Sequence, residues 1–394
     1  MFSDLLCFSH LRWNFVWQRP QHLMTRASAH RRVWFIEEPM DTDGTSYMDI
    51  RPVADQVAVA VPYLSTSLSK HERVRTQSTL VRQMRGTDEA ALLWYYTPMA
   101  REFSRELEAT AVVYDCMDEL SAFAGAPPAL RLWETELLAA ADVVFTGGVS
   151  LFEHKRARHP HVFAFPSAVE VDHFRGARKP LPDPAPQRWV PRPRIGFAGV
   201  LDERLDRDLL DHVAKVRPAC AFVLVGPVVK IDPASLPQRG NLYYVGIQPY
   251  QDLPAFMAHW DAAILPFARN DATRFISPTK TPEYLAAGLP VVSTSIRDVV
   301  HPYGVDGLVQ IADEPDEFAQ ALDRALRPAS PGWLASVDAH LSGMSWERTW
   351  SQMDYHIRRA EAARSRAATP ATLADVAHRP AASESPGNID AGVR

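Results

Sequence analysis

Residues 278–292 read PTKTPEYLAAGLPVV and predict a loop, a short helix and a buried strand in quick succession. Pro278 and Pro282 mark the approach to the helix and its first turn, where a missing N–H group costs little. Gly288 ends the helix, and the apolar run that begins at Pro290 is typical of a buried strand. The segment therefore indicates an α/β protein with a parallel sheet.

Two charged side chains, Lys280 and Glu283, stand at the start of this helix. Free backbone N–H groups and the helix dipole favour an anion there, and Lys280 adds a positive charge. The carboxylate of Glu283 is suited to accept two ribose hydroxyls, and Thr279 lies beside both. The segment predicts a binding site for a nucleotide-sugar diphosphate. The alternative is a surface helix whose lysine and glutamate are solvated.

Strand-like runs and amphipathic stretches alternate on both sides of a proline-rich break. Before it, runs such as DLLCFS at 4–9 and AVVYD at 111–115 alternate with helical patterns. The break at 178–194 reads RKPLPDPAPQRWVPRPR and predicts a stiff, extended linker that acts as a hinge. After it, IGFAGV at 195–200 restarts the alternation. We predict two Rossmann-like domains, whose ligands bind beyond the carboxyl ends of the strands.

Changes of composition set the predicted boundaries. Ser345 suits a helix N-cap and opens a long amphipathic pattern. After it the chain consists of Ala, Ser, Pro and charged residues with few large apolar side chains, which predicts disorder. The predicted units are an acceptor domain at 1–177, a linker at 178–194, a donor domain at 195–344, a crossover helix at 345–366 and a disordered tail at 367–394.

The composition is that of an ordinary globular protein. With 394 residues, 46% of them hydrophobic, the chain is long enough for two cores. A net charge of −5 argues against a general nucleic-acid binder. We find no signal peptide, no apolar run of about 18 residues and no zinc-ligand spacing among the three cysteines. These observations predict a cytoplasmic protein without a metal.

The stretch FSHLRWNFVWQRPQHLM follows the first predicted strand, where a doubly wound domain places a ligand-contacting loop. Arg19 directly precedes a proline at a helix start and suits a phosphate or a sugar hydroxyl. Trp13 and Trp17 offer flat faces for a sugar ring. The alternative is an inter-domain packing patch with a solvated arginine. The candidate acceptor-side residues are Arg19, Trp13 and Gln21.

Carboxylates gather at the end of a later predicted strand, in the sequence YDCMDE at 114–119. The carboxyl end of a strand lies where substrate enters, so carboxylates there are suited to bind acceptor hydroxyls or to accept a proton. The candidate catalytic residues are Asp115 and Asp118, together with His10 from the first loop. The alternative is an ordinary helix N-cap.

Two loops of the second domain are candidates for contact with the donor. In GFAGVLDERLD, Gly199 lets the backbone approach a ligand closely, and Arg204 is placed to meet a diphosphate. The alternative for Arg204 is an ion pair with Asp202 or Asp206. In YYVGIQPY, the loop around Gln248 is placed to hold a base.

Five arginines make the region of the first helix basic. Such a surface predicts a peripheral contact with anionic lipid on the inner face of the membrane. The alternative is a solvated basic face. The arginines are Arg12, Arg19, Arg26, Arg31 and Arg32.

Taken together, these motifs resemble bacterial GT-B glycosyltransferases of families 4 and 1, including those of teichuronic-acid and exopolysaccharide synthesis. The resemblance spans about residues 2–355 and implies a donor site mainly on the second domain, an acceptor site mainly on the first, and a final helix that crosses back. It implies no cofactor, because the nucleoside-diphosphate sugar is a substrate. The motifs, in order, are LCFSHLRWNFVWQRPQHLM, YDCMDELSAF, AADVVFTGG, FPSAVEVDHF, IGFAGVLDE, SPTKTPEYLAAGLPVVST and SWERTW.

The resemblance also assigns roles to individual residues. Glu283 corresponds to the carboxylate that binds the donor ribose, and Lys280 and Arg204 correspond to basic residues near the diphosphate. Family 4 enzymes commonly carry a second carboxylate eight residues before the ribose-binding one, and here that position is Phe275. This departure leaves the donor sugar and the retaining stereochemistry open.

The implied function is transfer of a hexose from a nucleoside-diphosphate sugar to a hydroxyl of a glycan or lipid-linked glycan, without a metal. A first alternative is a sugar-nucleotide epimerase of the same fold, which needs no acceptor. A second is a non-catalytic subunit that binds a partner transferase, and the missing carboxylate motivates it.

Overall fold

The computed structural model of the protein describes residues 3–368, which form two sheets flanked by helices. Nearly all of the tail predicted at 367–394 lies outside the described residues. The first sheet consists of β1 (Ser3–Phe8), β2 (Arg31–Ile36), β3 (Met40–Thr42), β4 (Tyr47–Ala54), β5 (Val57–Ser65), β6 (Ala91–Tyr95), β7 (Ala109–Cys116), β8 (Val143–Thr146) and β9 (Val162–Ala164).

The strand order of the first sheet is β3-β5-β2-β1-β6-β7-β8-β9, with β4 added on β5. All pairs are parallel except that of β4 with β5. Leu5 of the central strand β1 is in register with Val33 of β2 and with Leu92 of β6. The inner strands are buried on both faces, which explains why they read as nearly continuous apolar runs.

The second sheet is parallel throughout. Its order, β12-β11-β10-β13-β14-β15, reverses direction between β10 and β13, and such a switch point opens a crevice at the carboxyl ends of the strands. Its strands are β10 (Arg194–Ala198), β11 (Ala221–Val225), β12 (Leu242–Gly246), β13 (Ala262–Leu265), β14 (Val291–Ser293) and β15 (Val309–Ile311).

The helices that cover the sheets begin and end where local sequence favours it. Ser69 and Glu72 form a capping box at the start of α2, and Gly86 closes that helix in the left-handed conformation, with φ of +65°. The helices are α1 (Arg19–Ala27), α2 (Lys70–Arg85), α3 (Arg101–Ser104), α4 (Leu130–Ala140), α5 (Val149–Lys155), α6 (Val171–Arg175), α7 (Arg207–Val216), α8 (Leu253–Met257), α9 (Lys280–Ala286), α10 (Arg297–Val299), α11 (Pro315–Ala325), α12 (Trp333–Leu341) and α13 (Trp346–Ala368).

The segment at 278–292 folds as its sequence predicts. Helix α9 is followed by Gly288, whose φ of +83° favours glycine and whose N–H group donates to the carbonyl of Leu285 (2.9 Å). The apolar run then enters β14, which is fully buried between β13 and β15. Local turn chemistry and burial therefore agree in this segment.

The proline-rich segment at 178–194 packs along the second domain, although its composition predicts a hinge. Gln187 is fully buried, and its side chain accepts a hydrogen bond from Nε1 of Trp260 (3.0 Å) and donates to the carbonyl of Phe256 (3.1 Å). The chain leaves the first core after Ala168 and enters the second at Val169. The crossing between domains therefore lies before the proline-rich segment.

Helix α13 returns to the first domain. Leu341 still packs in the second core, whereas Trp346 and Met353 are buried in the first. Glu361 on the same helix binds Arg31 at 2.9 Å. A second crossing point between the domains therefore lies between α12 and α13. The hinge role of the proline-rich segment stays a prediction.

The five arginines of the first helix region are all paired with carboxylates. Arg12 and Arg32 nevertheless stay partly exposed, and Asp4, the partner of Arg32, also binds Arg85. The predicted contact with anionic lipid therefore stays a prediction. Within residues 3–368, no helix is both long enough and apolar enough to cross a membrane. The pairs are Arg12 with Glu37, Arg19 with Asp115, Arg26 with Glu347, Arg31 with Glu361, and Arg32 with Asp4.

Candidate functional site

A cavity of about 480 Å³ lies between the two domains. Its lining residues follow the carboxyl ends of β1, β10, β11 and β12, which is where doubly wound sheets bind ligands. We call it the aromatic cavity because its first-domain wall carries the rings of Trp13, Phe15 and Trp17. It is lined by Trp13, Asn14, Phe15, Val16, Trp17, Ala198, Gly199, Val225, Gly226, Pro227, Ile247, Gln248, Pro249, Tyr250, Gln251, Leu253 and Lys280.

Lys280 is the one charged residue of this lining. Its Nζ lies 2.7 Å from Oε2 of Glu283, one turn along α9. Burial raises the pKa of Glu283, and the positive charge of Lys280 opposes that rise. A lysine ammonium has three N–H donors, so this ion pair leaves Lys280 with donors for a ligand. Thr279, immediately before the helix, is absent from the lining.

Gly199 and Gln248 also line the aromatic cavity, as the sequence predicts for residues near the donor. The backbone at Gly199 passes very close to Gly226, where an added Cβ atom would lie 1.8 Å from the carbonyl oxygen of Gly199. The φ of Gly226 is +148°, which also favours glycine. The two glycines therefore allow the ends of β10 and β11 to approach each other beneath the cavity.

Arg204 forms the ion pair that the sequence left open as an alternative. Its guanidinium binds Asp202 through Nε (3.0 Å) and Nη2 (2.7 Å). It also lies 5.7 Å from the ring centroid of Phe123, in the first domain. Arg204 thus faces the cleft with its charge already balanced.

Arg19 and Asp115 lie inside the first domain rather than in the cleft. Both are fully buried, with Nη2 of Arg19 at 2.8 Å from Oδ1 of Asp115, and Nη1 of Arg19 donates to the carbonyl of Phe165 at 2.7 Å. An enclosed bidentate pair has no free face for substrate. We therefore replace the acceptor and catalytic roles predicted for these two residues with a structural one.

Gln21 and Trp13 shape the first loop. Gln21 is buried, and its Nε2 donates to the carbonyls of Trp13 (2.8 Å) and Val16 (3.1 Å). The Trp13 ring is 5% exposed and packs edge-on against Phe35. Trp13 therefore has little surface left for an acceptor sugar, and Gln21 braces the loop without reaching the acceptor.

His10 and Asp118 lie at the ends of β1 and β7, on the first-domain side of the cleft. Burial, with the nearby charge of Lys230, lowers the pKa of His10 to about 4. Burial, with the charge of Asp202, raises the pKa of Asp118 to about 6, while Arg204 and Lys230 oppose that rise. Asp118 therefore titrates in a range useful for proton transfer, and both remain candidates.

Lys230 was not predicted from the sequence. It reaches across from the second domain, with its Nζ 5.5 Å from the ring centroid of Phe123. Its φ of +61° is uncommon for a lysine, and such strain clusters at functional sites. A glycine or asparagine at this position would have marked the turn, whereas a lysine gives no such signal.

A second cavity, of about 570 Å³, also lies between the domains. It carries six charged side chains, three of each sign, and we call it the charged cavity. It is lined by Glu119, Ser121, Ala122, Arg131, Glu134, Thr135, His154, Arg158, Asp271, Arg274 and Phe275.

A buried ion network forms one side of the charged cavity. The fully buried Lys155 binds Glu119 at 2.6 Å and also binds Glu134, and Arg158 binds Glu134 at 2.6 Å. Lys155 lowers the pKa of Glu134, whereas burial alone would raise it. The hydroxyl of Tyr114 donates to the same carboxylate at 3.0 Å. The carboxylate of Glu134 therefore remains ionised and fixed.

Contacts beside the charged cavity join the two domains. The His154 ring of α5 stacks on Phe275 of the second domain, with centroids 4.6 Å apart. On the same helix, the N–H group of Ser150 donates to Oδ1 of Asp298 at 3.0 Å. Phe275, where the resemblance implies a sugar-binding carboxylate, thus packs against the first domain.

Among the described residues, no group of three or more His, Cys, Asp or Glu side chains is placed to hold a metal. The absence of a metal requirement stays a prediction.

Comparison with known proteins agrees with this architecture. Residues 192–328 match the family described as Glycosyl transferases group 1. The matched segment extends from β10 to α11 of the second domain. TuaH of Bacillus subtilis (strain 168), which is named as a teichuronic acid biosynthesis glycosyltransferase, is 24% identical over 296 residues, 69% of each chain.

Solved structures share the fold across both domains. Sucrose-phosphate synthase from Thermosynechococcus elongatus superposes with a TM-score of 0.70 at 14% identity, covering 92% of this chain and 100% of its own. A UDP-forming trehalose-phosphate synthase from Burkholderia xenovorans gives 0.67 at 11%, covering 91% and 99%. An E. coli protein bound with UDP-2-fluoro glucose gives 0.59 at 13%, covering 93% and 98%. The predicted GT-B fold is confirmed.

Proposed function

We propose that this protein is a glycosyltransferase that moves a hexose from a nucleoside-diphosphate sugar to a hydroxyl of a glycan or lipid-linked glycan in surface polysaccharide synthesis. The observation that carries the proposal is the aromatic cavity, which combines flat apolar walls with one cation at the switch point of a group 1 domain. The teichuronic-acid name of TuaH supports the choice of acceptor class.

The donor occupies the aromatic cavity in this proposal. Lys280 binds the diphosphate and stabilises the charge that develops as it departs. Glu283 accepts the ribose hydroxyls with the carboxylate oxygen that Lys280 leaves free. The solved E. coli relative with UDP-2-fluoro glucose supports a nucleotide ligand for this fold.

The acceptor occupies the charged cavity. Fixed carboxylates and guanidinium groups, together with Ser121 and Thr135, offer paired donors and acceptors for the hydroxyls of a sugar. Asp118 is the residue before Glu119, which lines this cavity, and it accepts the proton of the attacking hydroxyl. Its raised pKa makes it a stronger base than an ordinary aspartate.

Incubation of the purified protein with UDP-, GDP- and ADP-sugars and lipid-linked acceptors tests the proposal. We expect sugar transfer with one donor, and a loss of transfer in Lys280→Ala and Glu283→Ala. Conversion of donor without acceptor would instead indicate an epimerase, and nucleotide binding without turnover would indicate a non-catalytic subunit. Unchanged transfer in both variants would contradict the assigned donor site.

A further inference from the structure

The first-domain wall of the aromatic cavity is one continuous loop, residues 13–17. The sequence predicts that this loop serves the acceptor, yet the structure brings it against the donor-side residues Gly199, Gln248 and Lys280. A ligand in this cavity therefore contacts both domains at once.

This loop is held as a fixed wall. Besides the bonds from Gln21, Nε1 of Trp17 donates to Nδ1 of His22 at 3.4 Å. Burial and nearby positive charges lower the pKa of His22 to about 3, so Nδ1 keeps the lone pair that accepts this bond. His22 in turn stacks on Trp346, with centroids 4.6 Å apart and planes at 13°. The ring of Trp17 is thus positioned before any ligand arrives.

A second wall, which meets the first at Trp17, comes from the loop after β12. The Trp17 and Tyr250 rings lie 6.3 Å apart, and Tyr250 stacks on His173 at 4.7 Å, close to the first crossing between domains. Ile247 on the same loop is 52% exposed and presents an apolar surface to the cavity. Both walls therefore offer apolar faces to a flat group.

The side chains that line the aromatic cavity suit a nucleobase better than a sugar. No carboxylate is part of this lining; Glu283 lies next to it as the ion-pair partner of Lys280. The polar side-chain groups of the lining are few: Asn14, Gln248, Gln251, Lys280, the hydroxyl of Tyr250 and the indole N–H groups of Trp13 and Trp17. A sugar ring needs hydrogen-bonding partners for every hydroxyl, whereas a nucleobase presents an apolar π-face and a polar edge. The charged cavity has the opposite character.

We infer that the nucleobase of the donor is bound by both domains. Trp17 of the first domain stacks on the base, and the loop at 247–250 forms hydrogen bonds with its polar edge. This inference rests on the proposed function and adds a first-domain residue to the nucleotide site. Trp17 positions the base and takes no part in the transfer itself.

Calorimetry with UDP, GDP, ADP and inorganic pyrophosphate tests this inference on the wild type, Trp17→Ala and Trp17→Phe. Loss of base stacking is expected to raise the Kd of the preferred nucleotide on the order of 5- to 150-fold in Trp17→Ala. Trp17→Phe keeps a ring and recovers most of the affinity. Pyrophosphate, which has no base, binds all three proteins alike.

Trp189→Ala is the matched control, because this tryptophan is 66% exposed and lines neither cavity. Fluorescence gives a second readout if Trp17→Ala fails to fold: the nucleotide should change tryptophan emission in the wild type, and that change should shrink in Trp17→Phe to the part that comes from Trp13, which lines the same cavity.

Nucleotide binding by the wild type with equal affinity in a folded Trp17→Ala would overturn the inference alone. An emission change of undiminished size in Trp17→Phe would do the same. Absence of any nucleotide binding by the wild type would overturn the proposed function, and the inference with it.

Discussion

The two cavities between the domains differ in the number of charged side chains that line them. The aromatic cavity has a single charged lining residue, Lys280, whereas the charged cavity has three acidic and three basic ones above a fully buried lysine, Lys155. The first suits a flat base with a diphosphate at one end, and the second suits a ligand rich in hydroxyls. One cleft thus contains two chemically distinct cavities, which is what the proposed transfer between two substrates requires.

The largest expected effect comes from removing the lysine beneath the charged cavity. Lys155→Met leaves Glu119 and Glu134 buried without their main cation, so we expect the free energy of unfolding to fall by about 3–5 kcal/mol. Denaturant unfolding measures this change. The control is Arg297→Met, which breaks the exposed pair with Glu153 and should leave stability almost unchanged. Equal stabilities of the two variants would mean that the network is not energetically coupled.

A smaller effect is expected at Asp118, at the end of β7. Its pKa is about 6 in the folded protein against an ordinary 3.8, so the folded state binds more protons and the wild type loses stability as pH rises from about 4 to 6. Asp118→Asn has no such loss. It should match the wild type near pH 4 and exceed it above pH 6 by at most about 3 kcal/mol.

Urea unfolding at pH 4, 5 and 7 checks this prediction, with the exposed Asp172→Asn as the control. Sugar transfer by Asp118→Asn should fall by about 10²–10⁴-fold if the carboxylate accepts the proton of the acceptor. A variant that is no more stable than the wild type at pH 7 would contradict the raised pKa.

The smallest effect is expected on the aromatic side. Lys280→Met removes the one cation of that cavity, so the Kd of UDP or GDP should rise by a factor that corresponds to about 1.5–3 kcal/mol. The free nucleoside, which carries no phosphate, should bind as before. Calorimetry compares the two ligands, with the exposed Lys215→Met as the control. Equal losses for nucleoside and diphosphate would show that Lys280 does not bind the phosphates.

Much of the second domain could be predicted from local sequence. Proline and glycine positions define α9 and β14, and Lys280 and Glu283 meet because residues three apart share a helix face. Gly199 and Gln248 line one cavity, as predicted, because loops after strands of a doubly wound sheet meet at one edge. Their contact with a donor stays a prediction. These signals act within a few residues or follow from strand order.

The first domain was harder to interpret because its charged residues pair over long separations. Arg19 and Asp115 are polar residues at strand and helix ends, which is equally typical of a ligand site and of a buried ion pair. Nothing in their neighbours shows that each neutralises the other across 96 positions. Lys230 was missed for a similar reason, since its partners belong to the other domain.

The sequence by itself determined the alternation of strands and helices, the α/β class of each domain and the Lys280–Glu283 pair, because periodicity, turn residues and helical spacing are local properties. Only the tertiary structure decided that the first loop lines a cavity together with the second domain, that five arginines pair with carboxylates, and that Glu119 and Phe275 share a cavity. Those outcomes depend on which distant segments the two sheets and two crossings bring together, and no local pattern encodes that.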